Sequence, residues 1–271
     1  MTTARFPLDG FTRYVARHDA VVALVYCALI LTLIEYLFIP RRAPAWMGSG
    51  ALVSWLTPSM AAGLIWVLAC LVFFFLLPYG FLRLIRADHP DRADHPDRAD
   101  HPDPAGHPHH VGHPDHTGHQ ALQFDLPGTH WRIYLLLYLL MLPVIFAASL
   151  RPDFIRVYPF VATARTSLGY FAIWEVAYLS QFFALEFFFR GFLLFTLARH
   201  MPKAVAIAAM VVPYTMIHYH KPMLEALGAI IGGCLLGYLA LKYRSWVGGA
   251  FLHASVALTM DSAAVITSGK F

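Results

Sequence analysis

Charge is scarce in this chain. Asp, Glu, Lys and Arg make up 13% of the 271 residues, against 58% hydrophobic residues, and the mean hydropathy is +0.57. A soluble globular domain carries roughly a quarter of its residues charged, so that class is excluded. Cysteine is almost absent as well. Cys27, Cys70 and Cys234 each fall inside an apolar run, which leaves neither a disulfide framework nor a CxxC metal site. There is no basic patch for a nucleic acid. The sequence pI of about 9.0 comes from arginines at the ends of apolar runs, as membrane proteins place them.

What is present is apolar length. Aromatic residues reach 15%, and several apolar runs of about twenty residues are each long enough to cross a bilayer. The expected fold is all-α, a polytopic bundle of about seven transmembrane helices, with six to eight allowed. Residues 1–85 hold the first two spans. The run at 21–39 is too long for a signal-peptide core and no small-residue cleavage site follows it, so it stays as a helix. Glu35 near its end is assigned to the interface. A second run covers 56–84, where Pro58 and Gly63 leave open one tilted helix or an interfacial turn followed by a helix. An eighth helix hidden in 40–84 would alter the topology.

Residues 86–130 change character. Arg-Ala-Asp-His-Pro-Asp recurs from Arg86, Arg92 and, before a final Pro, Arg98, and His107, His109, His110, His113, His116 and His119 follow among Gly, Pro and Asp. Such a segment buries no core and reads as a disordered loop. Imidazole and carboxylate suit zinc, nickel or copper, but a regular six-residue repeat reads better as a duplicated, solvated linker. Residues 131–268 carry the remaining spans, near 131–150, 168–198, 204–218, 223–241 and 245–265.

The span at 168–198 is unlike the others. The stretch Gln181-Phe-Phe-Ala-Leu-Glu-Phe-Phe-Phe-Arg-Gly-Phe-Leu-Leu194 sets Glu186 and Arg190 in apolar surroundings. Ionisable groups kept at that depth usually have work to do, although mutual neutralisation alone would also account for the pair. Their i, i+4 spacing puts both on one face, glutamate first. Glu175, Tyr178, Phe182, Glu186 and Arg190 step by three or four down that face. Glu175 and Glu186 lie roughly 16 Å apart along the axis, so Glu175 is expected at the cavity entrance or against a neighbouring helix. Two later apolar helices each hold a histidine, His218 and His253. One alone reads as a structural residue; two, following a buried Glu/Arg helix, point to a catalytic or metal site. Between them Gly228-xxx-Gly232 and Gly233-xxx-Gly237 provide small faces for close helix approach.

Glu186-Phe-Phe-Phe-Arg190-Gly191, then Tyr214-xxx-His218, then Ser245-Trp-x-x-x-x-x-x-His253 resemble the three ordered motifs of the CPBP intramembrane proteases, which include the type II CAAX prenyl proteases and bacterial Abi proteins. Trp174-Glu175 and Leu-Glu-Phe-Phe-Phe-Arg-Gly look most like the myxosortase branch, implicated in processing C-terminal sorting signals. The resemblance spans about residues 130–265. It departs at two places: the usual Glu-Glu-xxx-Arg has Leu185 where the first glutamate, generally assigned as the base, would stand, and Ala257 fills the usual Asn position four residues after the last histidine. Tyr214 for Phe is a mild change.

The resemblance implies an intramembrane endopeptidase of a bacterial inner membrane, acting on membrane or lipid-anchored proteins. Glu186 would be the base, with His218 and His253 orienting water and stabilising the oxyanion, Arg190 holding the carboxylate, and Glu175, Tyr178 and Tyr214 lining the cavity. No cofactor is implied, although Glu186 and the two histidines would equally make three zinc ligands; the residues alone do not decide. Leu185 and Ala257 motivate a second class, a non-catalytic scaffold or immunity protein. The His-rich loop motivates a third, a metal transporter, against which stands the lack of an inverted repeat. Oligomeric state is not readable.

With seven spans, Arg5, Arg13, Arg17, Arg83, Arg86, Arg92, Arg98, Arg132, Arg199, Lys203, Lys242 and Arg244 share one side, against Arg41, Arg42, Arg151, Arg156, Arg165, Lys221 and Lys270. The first set is larger, which puts the N-terminus and the His-rich loop in the cytoplasm. Deleting residues 88–119 is expected to leave membrane insertion and growth in excess zinc or nickel unchanged. A metal-sensitive phenotype in the deletion strain would move the loop from linker to metal handling.

Overall fold

The computed structural model describes residues 18–40, 56–87 and 130–269. The arginines expected before the first helix, Arg41 and Arg42, and the His-rich repeats lie outside the described residues. Those described are almost wholly helical, with no strand among them. Six helices are long and apolar enough to cross a membrane: α1 (Asp19–Phe38), α2 (Pro58–Leu84), α3 (Trp131–Ser149), α5 (Leu168–Ala198), α7 (Met223–Tyr243) and α8 (Val247–Ser268). A short α4 (Pro152–Val157) lies between α3 and α5, and α6 (Lys203–Met216) is apolar but only 14 residues long. The molecule is a multi-pass membrane protein.

Local chemistry sets the helix starts. Pro58 occupies the first turn of α2, where its missing N–H costs nothing, and Thr57 Oγ1 accepts from Met60 N at 3.2 Å. The proline and Gly63 therefore do not split the second span. Ser167 caps α5 in the same way, through Tyr170 N. The loop before α8 turns at Arg244, which closes α7 in a left-handed conformation with φ 55°.

Contacts between helix ends give the up-and-down order. At one end of the bundle, Asp19 pairs with Arg199 and His200, and the His130 ring stacks on Tyr243 at 4.0 Å. At the other, Glu35 pairs with His220 at 2.9 Å, Thr57 bonds Thr163 at 2.7 Å, and Tyr158 donates to Glu225. Glu35, expected at the interface, thus has a specific partner in His220. The segment joining α2 to α3 leaves from the first end, shared with the start of α1.

The long helix α5 runs through the middle and is the most enclosed, with 89% of its most apolar window buried, whereas α1, α3 and α7 keep most of their surface outward. Its aromatic side chains are held by the N-terminal helices. Phe188 stacks on Phe74 of α2 with centroids 4.9 Å apart, Phe187 meets Phe75 at 4.9 Å, and Tyr26 of α1 meets Phe192 edge-on at 5.9 Å. Both facing stretches, Leu71–Leu76 and Phe187–Leu194, wind as π-helix. A π turn frees carbonyls from the regular ladder, and Tyr26 Oη donates to Phe73 O at 2.6 Å.

Glycine sets two close approaches. A Cβ on Gly233 would sit 3.0 Å from Tyr214, and one on Gly237 would sit 3.1 Å from Met210, so this pair seats α7 on α6. Gly228 and Gly232 face open space, so only one of the two small-residue faces is used. At Gly248 a Cβ would fall inside the Tyr134 ring of α3. Gly248→Ala is expected to lower the stability of the detergent-solubilised protein by about 1–3 kcal/mol, as overpacking does. A thermal or denaturant midpoint equal to that of wild type would refute the close α3–α8 approach.

Candidate active site

Three helices converge where the most enclosed one carries its charges. Glu186 ends the α-helical part of α5, and the π-helical stretch begins with the next residue. Arg190 follows one turn later, and both side chains are fully buried. Arg190 Nη1 donates to Glu186 Oε1 at 2.9 Å. The guanidinium lies over the Tyr214 ring of α6, with Cζ 4.1 Å from the ring centroid, so the cation is partnered by a carboxylate and a π-face together. π turns recur at functional sites because they displace side chains from the regular spiral.

His253 reaches in from α8. Its Nδ1 lies 2.8 Å from the same Glu186 Oε1, and since a carboxylate only accepts, Nδ1 carries the proton. Phe182, one turn before Glu186, packs on the imidazole at 4.6 Å. His218 lies just past α6 and is buried. Its Nδ1 donates to the Tyr214 carbonyl at 2.8 Å, and its ring meets Tyr214 at 5.0 Å. Both histidines therefore have Nδ1 fixed and Nε2 available.

Glu186 Oε2 is buried without a partner, as are Nε and Nη2 of Arg190. Orphan groups of both signs beside one carboxylate mark a place for a polar ligand or water. The backbone of α8 comes close here, since a Cβ on Gly249 would stand 3.2 Å from Oε2. Any side chain at 249 would crowd the free oxygen.

Glu186, Arg190, Tyr214, His218 and His253 are thus brought together. Glu175 is not. It is buried further along α5 and faces Asp261 of α8, whose Oδ2 accepts from Trp174 Nε1 at 3.0 Å. Tyr178 links the two regions, stacked on Trp174 at 4.8 Å and meeting Phe182 at 4.8 Å. Glu175 lies on the face its spacing predicts, whereas Asp261 falls outside every motif, although a lone carboxylate in an apolar helix is itself a signal. Nor does the sequence single out Gly249, whose only trace is the Gly-Gly pair four residues before His253. Leu185 and Ala257 are both buried among apolar neighbours.

Zinc would need Glu186, His218 and His253 as a ligand group. Among the described residues no three or more His, Cys, Asp or Glu side chains are grouped to hold a metal. Glu186 Oε1 already accepts from both Arg190 and His253, so the donor set as arranged does not fit the ion.

Residues 167–259, about a third of the chain, match the family model described as type II CAAX prenyl endopeptidase Rce1-like. No curated protein and no solved structure matches. The match agrees with the resemblance to the CPBP proteases and supports an intramembrane protease, but it does not single out the myxosortase branch.

The Arg190 fork makes a testable demand. Removing it leaves Glu186 as an unpaired buried charge, which typically costs ~3–5 kcal/mol. Arg190→Ala is therefore expected to lower the amount of folded protein, read by fluorescence-detected size exclusion. Arg190→Lys keeps the charge but loses the planar contact with Tyr214, so it should fall between the two. An Arg190→Ala protein with wild-type yield and melting midpoint would dismiss the pairing.

Proposed function

We propose that the protein is an intramembrane endopeptidase in which Glu186 activates water to cleave membrane-anchored protein substrates. The observation that carries this reading is the free, buried Oε2 of Glu186 beside two histidines with fixed Nδ1 and available Nε2. A general base must offer a lone pair within hydrogen-bond reach of the water it deprotonates, and Oε2 is the unoccupied lone-pair site on this carboxylate.

In this mechanism water lies against Oε2. Its proton passes to Glu186 as its oxygen attacks the scissile carbonyl carbon. His218 orients the water by accepting its hydrogen bond at Nε2, and His253, in its doubly protonated form paired with Glu186, donates from Nε2 to the oxyanion. As the tetrahedral intermediate collapses, Glu186 returns the proton to the leaving amine. Arg190 holds Oε1 throughout, so Oε2 stays aimed at the reaction. The enclosing Phe182, Phe187 and Phe189 exclude bulk water, which strengthens each of these interactions.

No resident metal is required in this reading. A dication at Glu186 would have to displace both Arg190 and His253 from Oε1, and the guanidinium would repel it. Substrates are membrane or lipid-anchored proteins, with C-terminal sorting signals the first class to try. The membrane is a bacterial inner membrane with the N-terminus and the α2–α3 segment cytoplasmic. A second reading, a non-catalytic scaffold or immunity protein, rests on Leu185 and Ala257, where apolar side chains replace the family's Glu and Asn.

Co-expression with C-terminally anchored candidates tests both readings. Glu186→Gln is expected to abolish cleavage while the protein still accumulates, and His218→Ala and His253→Ala each to lose ~10²–10³ in rate. Purified enzyme lacking residues 88–119 is expected to stay active in EDTA. Cleavage by Glu186→Gln at the wild-type rate would refute the base. Activity lost on chelation and recovered with zinc would transfer the chemistry to a metal.

A further inference from the structure

α5 and α8 meet through two polar contacts, and one of them lies outside the Glu186 site. The first is His253 on Glu186. In the second, Trp174 Nε1 donates to Asp261 Oδ2 at 3.0 Å, and Glu175 faces the same Asp261. Glu175 is 5% exposed and Asp261 0%. Both oxygens of Glu175 and Oδ1 of Asp261 lack any donor. Two ionised carboxylates can only accept, so as a pair of anions they repel one another and leave three buried oxygens unsatisfied.

One proton resolves this. A protonated Glu175 donates to Asp261, the repulsion disappears, and a single negative charge remains, held by the Trp174 N–H. The surrounding groups suit one anion rather than two. The charges of Arg165, from the turn Ala162–Arg165, and Lys221, from the α6–α7 loop, act on Asp261. Tyr178 on α5, Glu225 on α7, Cys70 on α2 and Tyr158 after α4 are the other titratable groups of this region. Glu225 is already matched by Lys221 at 2.8 Å and by the Tyr158 hydroxyl.

We propose that Glu175 and Asp261 share one proton, and that this acid–carboxylate pair with Trp174 is a positioning clasp that sets α8 on α5 and so places His253 against Glu186. The inference rests on the proteolytic role of Glu186 and His253. Asp261 and His253 are eight residues apart on α8, roughly 12 Å along its axis. The space between the two contacts is filled by a continuous stack: Trp174 on Tyr178, Tyr178 on Phe182, and Phe182 on His253, with centroids 4.8, 4.8 and 4.6 Å apart. Close-packed rings transmit a displacement rather than absorb it. A slip at Asp261 therefore reaches the imidazole. Neither carboxyl touches the reacting atoms, so both are positioning residues.

Two measurements on the full-length protein test this. Infrared spectra at neutral pH are expected to show the carbonyl stretch of a buried protonated carboxylic acid in wild type, and Glu175→Gln should remove it. In substrate cleavage, Asp261→Ala is expected to lower kcat ~10–100-fold with KM changed by less than about twofold, as a misplacement near 1 Å does. Asp261→Asn, which keeps an oxygen for Trp174, should recover most of that loss. If Asp261→Ala does not accumulate, Trp174→Phe removes only the indole donor and carries the same kcat test.

Absence of the infrared band, or its persistence in Glu175→Gln, overturns the shared proton. Wild-type kcat in Asp261→Ala or in Trp174→Phe overturns the clasp. A wild type no more active than Glu186→Gln would instead remove the proteolytic reading, while the infrared result would still decide whether the proton is shared.

Discussion

The bundle is arranged around keeping a carboxylate serviceable in a medium that penalises charge. A lone anion at that depth would be neutralised or expelled, and the penalty in real membrane helices is several kcal/mol even after relaxation. Here Arg190 meets Glu186 within the same helix, one turn on, so the pair forms whenever α5 forms. Tyr214 covers the guanidinium, and the phenylalanines from 187 to 192 on the same stretch are buried. Those rings need partners, and α1 and α2 supply them through Tyr26, Phe74 and Phe75. The two N-terminal helices, which precede the stretch carrying the family motifs, thereby become the wall behind the site.

The spans were legible because apolar length is a one-dimensional property. Charges, prolines and glycines marked the ends of the runs, and the helices begin and end within a few residues of them. Glu186 and Arg190 were legible for the same reason, since a charge in an apolar run stands out without any knowledge of its neighbours. Their partners were harder. That His253 bonds Glu186, while His218 bonds a backbone carbonyl, depends on how α6 and α8 cross α5. The π-helical turn at Phe187–Leu194 has no simple signature, because phenylalanines pack as readily on an α-helix. Asp261 was visible as a letter, but its meaning comes from Glu175 and Trp174, 86 and 87 residues earlier.

The two departures from the family pattern read differently in three dimensions. Leu185 joins the apolar cluster around Phe187 and Phe188, and the carboxylate beside it, Glu186, meets Arg190 and His253. Ala257 packs with Trp174, Tyr178 and Phe182, the rings that separate the two polar contacts between α5 and α8. An amide at 257 would have to find partners among them. The apolar residue there belongs with the neighbouring aromatic stack.

The shortness of α6 reaches beyond the protein. Fourteen residues rise about 21 Å, against a hydrocarbon core near 30 Å. Thinning of the lipid beside α6 is one way such a mismatch is met, and it would keep the polar loop that follows out of the hydrocarbon. The headgroup boundary would then dip toward His218, which sits two residues past the helix end. Water and the ends of anchored segments would meet the protein closer to the midplane on this flank than elsewhere on its perimeter. On this flank a thinner bilayer would match the helix length better than a thick one.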